Sequence, residues 1–240
     1  MTQTALVTGA NRGIGYEITR QLANHGWQVI IAARTLNKAT EATNQLVASG
    51  LDMAHFDQVA LDLNDPDSIA QAGDDVAQHH PDLTLLVNNA GIAGDMEKRA
   101  LATTPADLEA TLKVNLLGTM AVIQAMAPTL RTNHGRIANL TGPGSTTVWY
   151  HPLAYSVSKY ALNGLIQNMA ADFIQHQEPL SIFGLFPGGV STDINHHQQG
   201  QFMQSVEEAG QQIVDVLLDG QDHNGQIIGP DGKVLSQVPE

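Results

Sequence analysis

Short apolar runs alternate with longer stretches of helical spacing along the whole of this 240-residue chain. The runs cover Thr4–Thr8, Gln28–Ala32, Gln58–Leu61, Leu83–Val87, Arg136–Leu140, Ser181–Phe186 and Ile227–Ile228. Most are continuous, not polar/apolar alternations, which is the pattern of strands buried on both faces of a parallel sheet. Helical spacing falls near residues 14–25, 36–48, 67–79, 105–127, 156–176 and 202–219. Pro105 suits a first helical turn, with Thr104 as its N-cap. Strand, helix, strand, repeated end to end, predicts an α/β fold: a doubly wound sheet of about seven parallel strands with helices on both faces. No linker rich in Pro, Gly or Ser divides the chain, so residues 1–240 are expected to form one domain. Gly188–Gly200 lacks periodicity and is expected to be a mobile polar loop.

A chain of this length buries about 70–75% of its unfolded surface, so its core needs no covalent staple. With 42% hydrophobic and 15% charged residues it is no highly charged disordered chain. Lys plus Arg number 11 and Asp plus Glu 24, a net charge of −13. That balance argues against nucleic acid or a polybasic membrane contact. The absence of cysteine excludes disulfides, iron–sulfur clusters and thiolate metal sites, and fits the cytoplasm. No run reaches the ~18 apolar residues of a membrane span, and the N-terminus lacks the basic start of a signal peptide. His79–His80 and His196–His197 lack zinc-motif spacing, so no metal is expected. Asn139-Leu140-Thr141 has glycosylation spacing and is read as chance.

The first run ends in Thr8-Gly9-Ala10-Asn11-Arg12-Gly13-Ile14-Gly15, and a helix follows at once. Glycines here permit a tight turn and close backbone approach to a pyrophosphate, which the helix N-terminus then holds. A nucleotide site of Rossmann type is therefore expected. Past the second run an NAD site needs a carboxylate for the ribose hydroxyls. The chain has Ala33 and Arg34 there. Arg34 and Arg12 suit the 2′-phosphate of NADP(H), since a guanidinium binds phosphate through a planar fork.

At this point the chain resembles the classical short-chain dehydrogenases/reductases, and most closely their carbonyl-reductase-type members, over essentially its whole length. The resemblance rests on the glycine turn, Asp62-Leu63, Asn88-Asn89-Ala90-Gly91, Asn115, Tyr155-Ser156-Val157-Ser158-Lys159 and Pro187-Gly188-Gly189-Val190-Ser191-Thr192, all in the family's order. It implies that Gly9, Asn11, Arg12, Gly13, Ile14, Gly15, Arg34, Asp62, Leu63, Asn89, Ala90, Gly91, Pro187, Gly188, Val190 and Thr192 bind NADPH/NADP+. It also implies that Lys159 holds the nicotinamide ribose and that Asn115 kinks its helix to hold a water in a proton relay. Independently of the family, Tyr155 and Lys159 lie one helical turn apart on one face. A phenol with pKa about 10 exchanges protons poorly at neutral pH. The ammonium and an oxidised nicotinamide are expected to lower that pKa. Tyr155 then gives its proton to a carbonyl oxygen, or takes one from an alcohol.

One position departs from the family. Its carbonyl-polarising serine stands thirteen residues before the tyrosine, where this chain has Gly142. Thr141, Ser145, Thr146 or a water is left to supply the donor, with Ser145 the best placed because Pro143 and Gly144 can turn the loop back. Losing one oxyanion donor costs about 10²–10³ in turnover. Restoring it with Gly142→Ser is expected to keep or raise activity. The resemblance places the substrate walls at Ile92–Gly94, Gly142–Tyr150, Gly188-Gly189 and the loop at about 188–206 that holds Phe202 and Met203. Trp149 and Tyr150 either line the pocket or pack in the core.

These features point to an NADPH-dependent reductase of ketones or aldehydes, reversible as an alcohol dehydrogenase, with a small-molecule substrate. Two alternatives stay open: a 3-oxoacyl-carrier-protein reductase, and an NADP-binding sensor or scaffold that Gly142 has weakened as an enzyme. The acidic carrier protein is disfavoured by the charge of −13, with only Lys98, Arg99, Lys113 and Arg131 on the intervening stretch. Apolar residues on the helices near 105–127 and 156–176 exceed one sheet-facing stripe. Their second faces predict a homotetramer, with a homodimer as the fallback.

Overall fold

The computed structural model describes residues 3–143, 152–195, 197 and 199–238. In chain order the elements are β1 (Thr4–Thr8), α1 (Gly13–Asn24), β2 (Gln28–Ala33), α2 (Leu36–Ala48), β3 (Phe56–Ala60), α3 (Pro66–His79), β4 (Leu83–Asn88), α4 (Pro105–Leu112), α5 (Thr119–Thr132), β5 (Arg136–Leu140), α6 (Leu153–His176), β6 (Ser181–Leu185), β7 (Gly189–Val190), β8 (Met203–Gln204), α7 (Val206–Leu218), β9 (Ile227–Ile228) and β10 (Val234–Ser236). One eight-stranded sheet has the order β10-β9-β6-β5-β4-β1-β2-β3. Seven of its strands run parallel, as expected; β10 joins the edge antiparallel to β9.

Alternate residues of β1 serve opposite layers. Ala5 and Val7 pack with Ile18 and Leu22 of α1, Leu46 of α2 and Val214 of α7. Leu6 packs on the other face with Val76 of α3, Ile123 and Met126 of α5 and Ile166 of α6. Each such large apolar side chain contributes about 1.5–3 kcal/mol by leaving water. The continuous helical run Pro105–Thr132 is long and apolar enough by composition to cross a membrane. Here it flanks the sheet, with Val122, Ile123 and Met126 wholly buried.

Several boundaries differ from the sequence reading for local reasons. β3 starts at Phe56, two residues earlier than expected, because its register with β2 runs from Val29↔Phe56 to Ala33↔Ala60. α6 starts at Leu153, directly after Pro152. α7 starts only at Val206: Met203–Gln204 pairs with β7, and Ser205 and Glu208 then form a capping box. The Gly188–Gly200 stretch is accordingly held at its start by β7, and its middle carries a 3₁₀ turn at Asp193–Asn195.

The strand order reverses between β1 and β4, which opens a crevice beyond their carboxyl ends. A buried polar ladder fixes the strands beside it. Asn88 Nδ2 donates to Asn139 Oδ1 at 3.0 Å, and Asn139 Nδ2 donates to Phe183 O at 3.1 Å, across β4, β5 and β6. Asn139 is wholly buried, so its glycosylation-like triplet is out of reach of modification. Asn139→Leu keeps the volume but strands the Asn88 amide. It is expected to destabilise the fold by about 1–3 kcal/mol, read as a lower urea midpoint with an unchanged slope.

Candidate active site

β1 ends against a turn that only glycine accommodates easily. Gly9 has φ +64° and Gly13 φ +56°, the left-handed region that L side chains avoid. At Gly15 a Cβ would lie 2.4 Å from Asn89 Nδ2 and 2.6 Å from Gly9 O. That space is used: Asn89 Nδ2 donates to Thr8 O at 2.9 Å and Gly9 O at 3.2 Å. Thr8 Oγ1 in turn accepts from the N–H groups of Asn89 and Ala90. The end of β4 is thus tied to the turn after β1. No side chain caps the N-terminus of α1, so its free N–H groups face the crevice with positive dipole.

The crevice is lined by Gly9, Asn11, Arg12, Gly13 and Ile14, by Arg34 and Lys38, by Asp62 and Leu63, by Asn89 to Ile92, and by Thr192 to Ile194. Most residues expected to bind the cofactor are therefore brought together. Lys38 was missed; its only signal is its place one turn after Arg34 on α2. The cations have carboxylate neighbours. Arg12 Nη1 lies 2.6 Å from Asp193 Oδ2, and Arg34 Nε lies 3.9 Å from Asp62 Oδ2. Position 33 is a buried alanine, so no carboxylate stands at the end of β2. A glycine cradle, an uncapped helix start and three cations fit a dinucleotide with an extra phosphate on its adenosine ribose.

At the other end, α6 presents Tyr155 and Lys159. Lys159 is buried, its Nζ donates to Leu140 O at 2.7 Å, and it lies 5.7 Å from the Tyr155 ring centroid. Burial pushes the Tyr155 phenol up to about 12 and the Lys159 amine down to about 8. The sequence reading expected a lowered phenol; in the protein alone desolvation wins over the nearby ammonium. Asn115 sits in a π-helical segment, Lys113–Gly118, that joins α4 to α5. Its Oδ1 accepts from Ile92 N at 2.8 Å, and its Nδ2 donates to Ile92 O at 2.8 Å and Ser158 Oγ at 3.0 Å. Both amide hydrogens are committed. The side chain anchors the crevice wall to α6, and the helix is kinked at this residue into the π-helical segment.

Gly142 departs from expectation in its packing. A Cβ there would lie 2.9 Å from Lys159 Cβ, so Gly142→Ser displaces the lysine and is expected to lower activity, the reverse of the sequence reading. Thr141 does not supply the missing hydroxyl. Its Oγ1 lies 2.5 Å from Asn163 Oδ1 and 3.2 Å from Lys159 O. Asn163, also missed, donates through Nδ2 to Gly142 O at 3.3 Å and Pro143 O at 3.2 Å. Ser145, Thr146, Trp149 and Tyr150 lie outside the described residues.

A second cavity adjoins the Tyr155–Lys159 pair, with Gly142, Tyr155, Ser156, Lys159, Tyr160, Pro187 and Gly188 on its walls. Ser156 and Tyr160 were not foreseen. Three residues expected on the substrate walls, Phe202, Gly189 and Gly94, lie off it. Phe202 is 71% exposed and so does not wall the pocket. Gly189 and Val190 are taken into β7, where Gly189 packs on the Phe202 backbone. Gly94 turns its loop at φ +71° against Thr111.

Residues 3–201 match the family model described as short chain dehydrogenase. Carbonyl reductase [NADPH] 3 of Mus musculus is 40% identical over 143 residues, which is 58% of this chain and 49% of that protein. The chain thus spans about half the length of such relatives. The 3-oxoacyl-[acyl-carrier-protein] reductase of Aquifex aeolicus is 30% identical over 207 residues, 86% of this chain and 81% of that protein. The crystal structure of NADPH-bound carbonyl reductase from chicken fatty liver superposes with a TM-score of 0.83 at 26% identity, covering 98% of this chain and 99% of that one. A family match across most of the chain, the order of its motifs and the crevice they build agree: the chain belongs to the short chain dehydrogenase family.

Proposed function

We propose that the chain is an NADPH-dependent carbonyl reductase of small ketones or aldehydes, reversible as an alcohol dehydrogenase. The observation that carries this reading is a pair of neighbouring cavities, joined where a Cβ on Gly91 of the first would lie 3.9 Å from Lys159 Nζ of the second. Arg12, Arg34 and Lys38 line the first, and the buried Tyr155–Lys159 pair stands at the second. Arg12, Arg34 and Lys38 hold the 2′-phosphate, the α1 start holds the pyrophosphate, and Asp62 and Leu63 flank the adenine. When bound, NADPH supplies the hydride. Tyr155 is protonated throughout the neutral range and gives its O–H proton to the carbonyl oxygen, so that one O–H bond breaks as the other forms. The protonated Lys159 stabilises the phenolate left behind until solvent returns a proton.

The carrier-protein alternative is supported by the Aquifex relative but not by the surface. Two of the four cations noted for it are neutralised within the chain: Lys98 by Asp107 at 2.5 Å and Arg131 by Glu178 at 2.7 Å. NADPH oxidation with a panel of aromatic ketones tests the leading reading; no turnover with any of them rejects it.

Assembly belongs to the same proposal. Leu117 and Ile174 are 58% and 63% exposed on the outer helices, although Val122, Ile123, Leu162 and Ile166 of the predicted faces are buried in the core. We read that remaining apolar face as a helix-paired contact within a homotetramer. Light scattering at micromolar concentration is expected to give about four times 25.6 kDa. Twice that mass leaves the dimer, and the monomer mass rejects assembly.

Arg34→Asp is expected to weaken NADPH binding about 10- to 100-fold, the loss of a charge-assisted contact, with little change for NADH. Fluorescence titration of both nucleotides checks it. Tyr155→Phe is expected to lower turnover by at least about 10²-fold with an unchanged Kd for NADPH. In the free protein Lys159 loses its proton above about 8. A plot of kcat/KM for NADPH against pH, which reports groups of the free protein, is expected to fall through that region. Lys159→Arg should remove that limb.

A further inference from the structure

We infer that the backbone N–H of Gly142 is the hydrogen-bond donor to the substrate carbonyl oxygen, in place of a side-chain hydroxyl, and that Asn163 is the positioning residue that holds it there. This rests on the carbonyl-reductase reading of the site. Four observations lead to it. Gly142 walls the cavity that also contains Tyr155 and Lys159. Its carbonyl is taken by Asn163 Nδ2, as is that of Pro143, while its N–H has no hydrogen-bond partner among the described residues. The Thr141 N–H donates to Leu185 O in β6 at 2.9 Å. The bonding to β6 ends there: the Gly142 N–H makes none to β6 among the described residues. On the other side of β5, β4 pairs with it only as far as Asn88↔Asn139, and the sheet opens into the site. Finally, the Thr141 hydroxyl is committed to Asn163, and a Cβ at 142 would collide with Lys159.

A backbone N–H on a cavity wall with no partner in the protein is free to donate to what enters the cavity. A carbonyl oxygen that gains negative charge as hydride arrives would satisfy it, most strongly when the charge is greatest. The pieces have separate tasks. Tyr155 transfers the proton, Gly142 N–H stabilises the oxygen before and during that transfer, and Asn163 keeps the 142–143 backbone from swinging away.

The sequence provides a selective probe. Only two Thr-Gly pairs occur, Thr8-Gly9 and Thr141-Gly142. Protein carrying carbonyl-¹³C threonine and ¹⁵N glycine therefore shows two filtered amide signals, one in the phosphate turn and one at the proposed donor. The ketone of the aromatic panel that oxidises NADPH fastest is added to the protein saturated with NADP+, where no hydride can transfer. The Gly142 proton signal is expected to move downfield while that of Gly9 stays. A Gly142 signal that stays overturns the inference.

Two kinetic arms accompany it. Replacing the Thr141–Gly142 amide by an ester, with glycolic acid at 142, removes the N–H with no change of side chain and is expected to lower kcat by about 10²–10³-fold. An unchanged kcat overturns the inference. Asn163→Ala is expected to lower kcat without moving the Kd for NADPH or the alkaline limb of the pH profile. Loss of cofactor binding instead would mark Asn163 as merely structural and overturn its assignment. Absence of turnover by the unmodified protein with every ketone would reject the carbonyl-reductase reading itself, an outcome distinct from turnover that ignores the ester.

Discussion

A lysine ammonium enclosed by protein must find acceptors, and Lys159 finds the carbonyl of Leu140 at the very end of β5. That bond ties the end of β5 to α6 beside the second cavity. The lysine stem then runs along Gly142, close enough to forbid a Cβ there. One turn further on, Asn163 continues the same seam with Thr141, Gly142 and Pro143. Tyr155, Lys159 and Asn163 thus form a ladder at four-residue spacing on one helix. Lys159 and Asn163 fix the end of β5, whose ladder with β4 stops at Asn139 among the described residues.

The other end of the crevice is built from exposed charges. Arg12 and Asp193 are about half to two-thirds exposed, so their pairing at 2.6 Å adds little stability. Its consequence is positional. It draws the Asp193–Asn195 turn, 181 residues away in sequence, over the glycine turn. Asp193 also faces His197 Nε2 at 2.7 Å. A dianionic phosphate competes for the same guanidinium with more charge and better fork geometry than one carboxylate. On the proposed function such a phosphate would take Asp193's place at Arg12, and three of the chain's 11 basic residues line this one crevice.

Much of this was readable because it is local. Continuous apolar runs mark the parallel strands, and the glycine turn and the Tyr–Lys spacing lie within single segments. What escaped depends on chain segments meeting. Asn163 is an ordinary helix residue until β5 ends beside it, and Ser156 and Tyr160 reach the cavity only through the path of Phe186-Pro187-Gly188. Lys38 carries no motif, only a position above the crevice. The two-residue β7 and β8 are too short for any periodicity, so their pairing, which withdraws Gly189 and leaves Phe202 outside, could not be foreseen. β10 is three residues with two of them exposed, which reads as tail.

The same inability to see burial reversed the expected phenol shift, and its sign says what the site costs. Lys159 titrates at about 8 in the folded protein and near its ordinary 10.5 when unfolded. Below pH 8 both states hold the proton, and the folded state bears the full desolvation of a buried cation. As pH rises from about 8 to 10.5 the unfolded chain binds more protons, so stability rises. Tyr155 acts in the opposite sense. Its folded value of about 12 exceeds the ordinary 10.0, so between those limits the folded state holds the extra proton and stability falls as pH rises. At neutral pH only the lysine is charged, and the hydrogen bond to Leu140 offsets part of its penalty. The strain that remains is relieved by any bound group that supplies further acceptors to Nζ. On the proposed function a ribose hydroxyl would be such a group, and relief of the lysine's penalty would then add to its affinity.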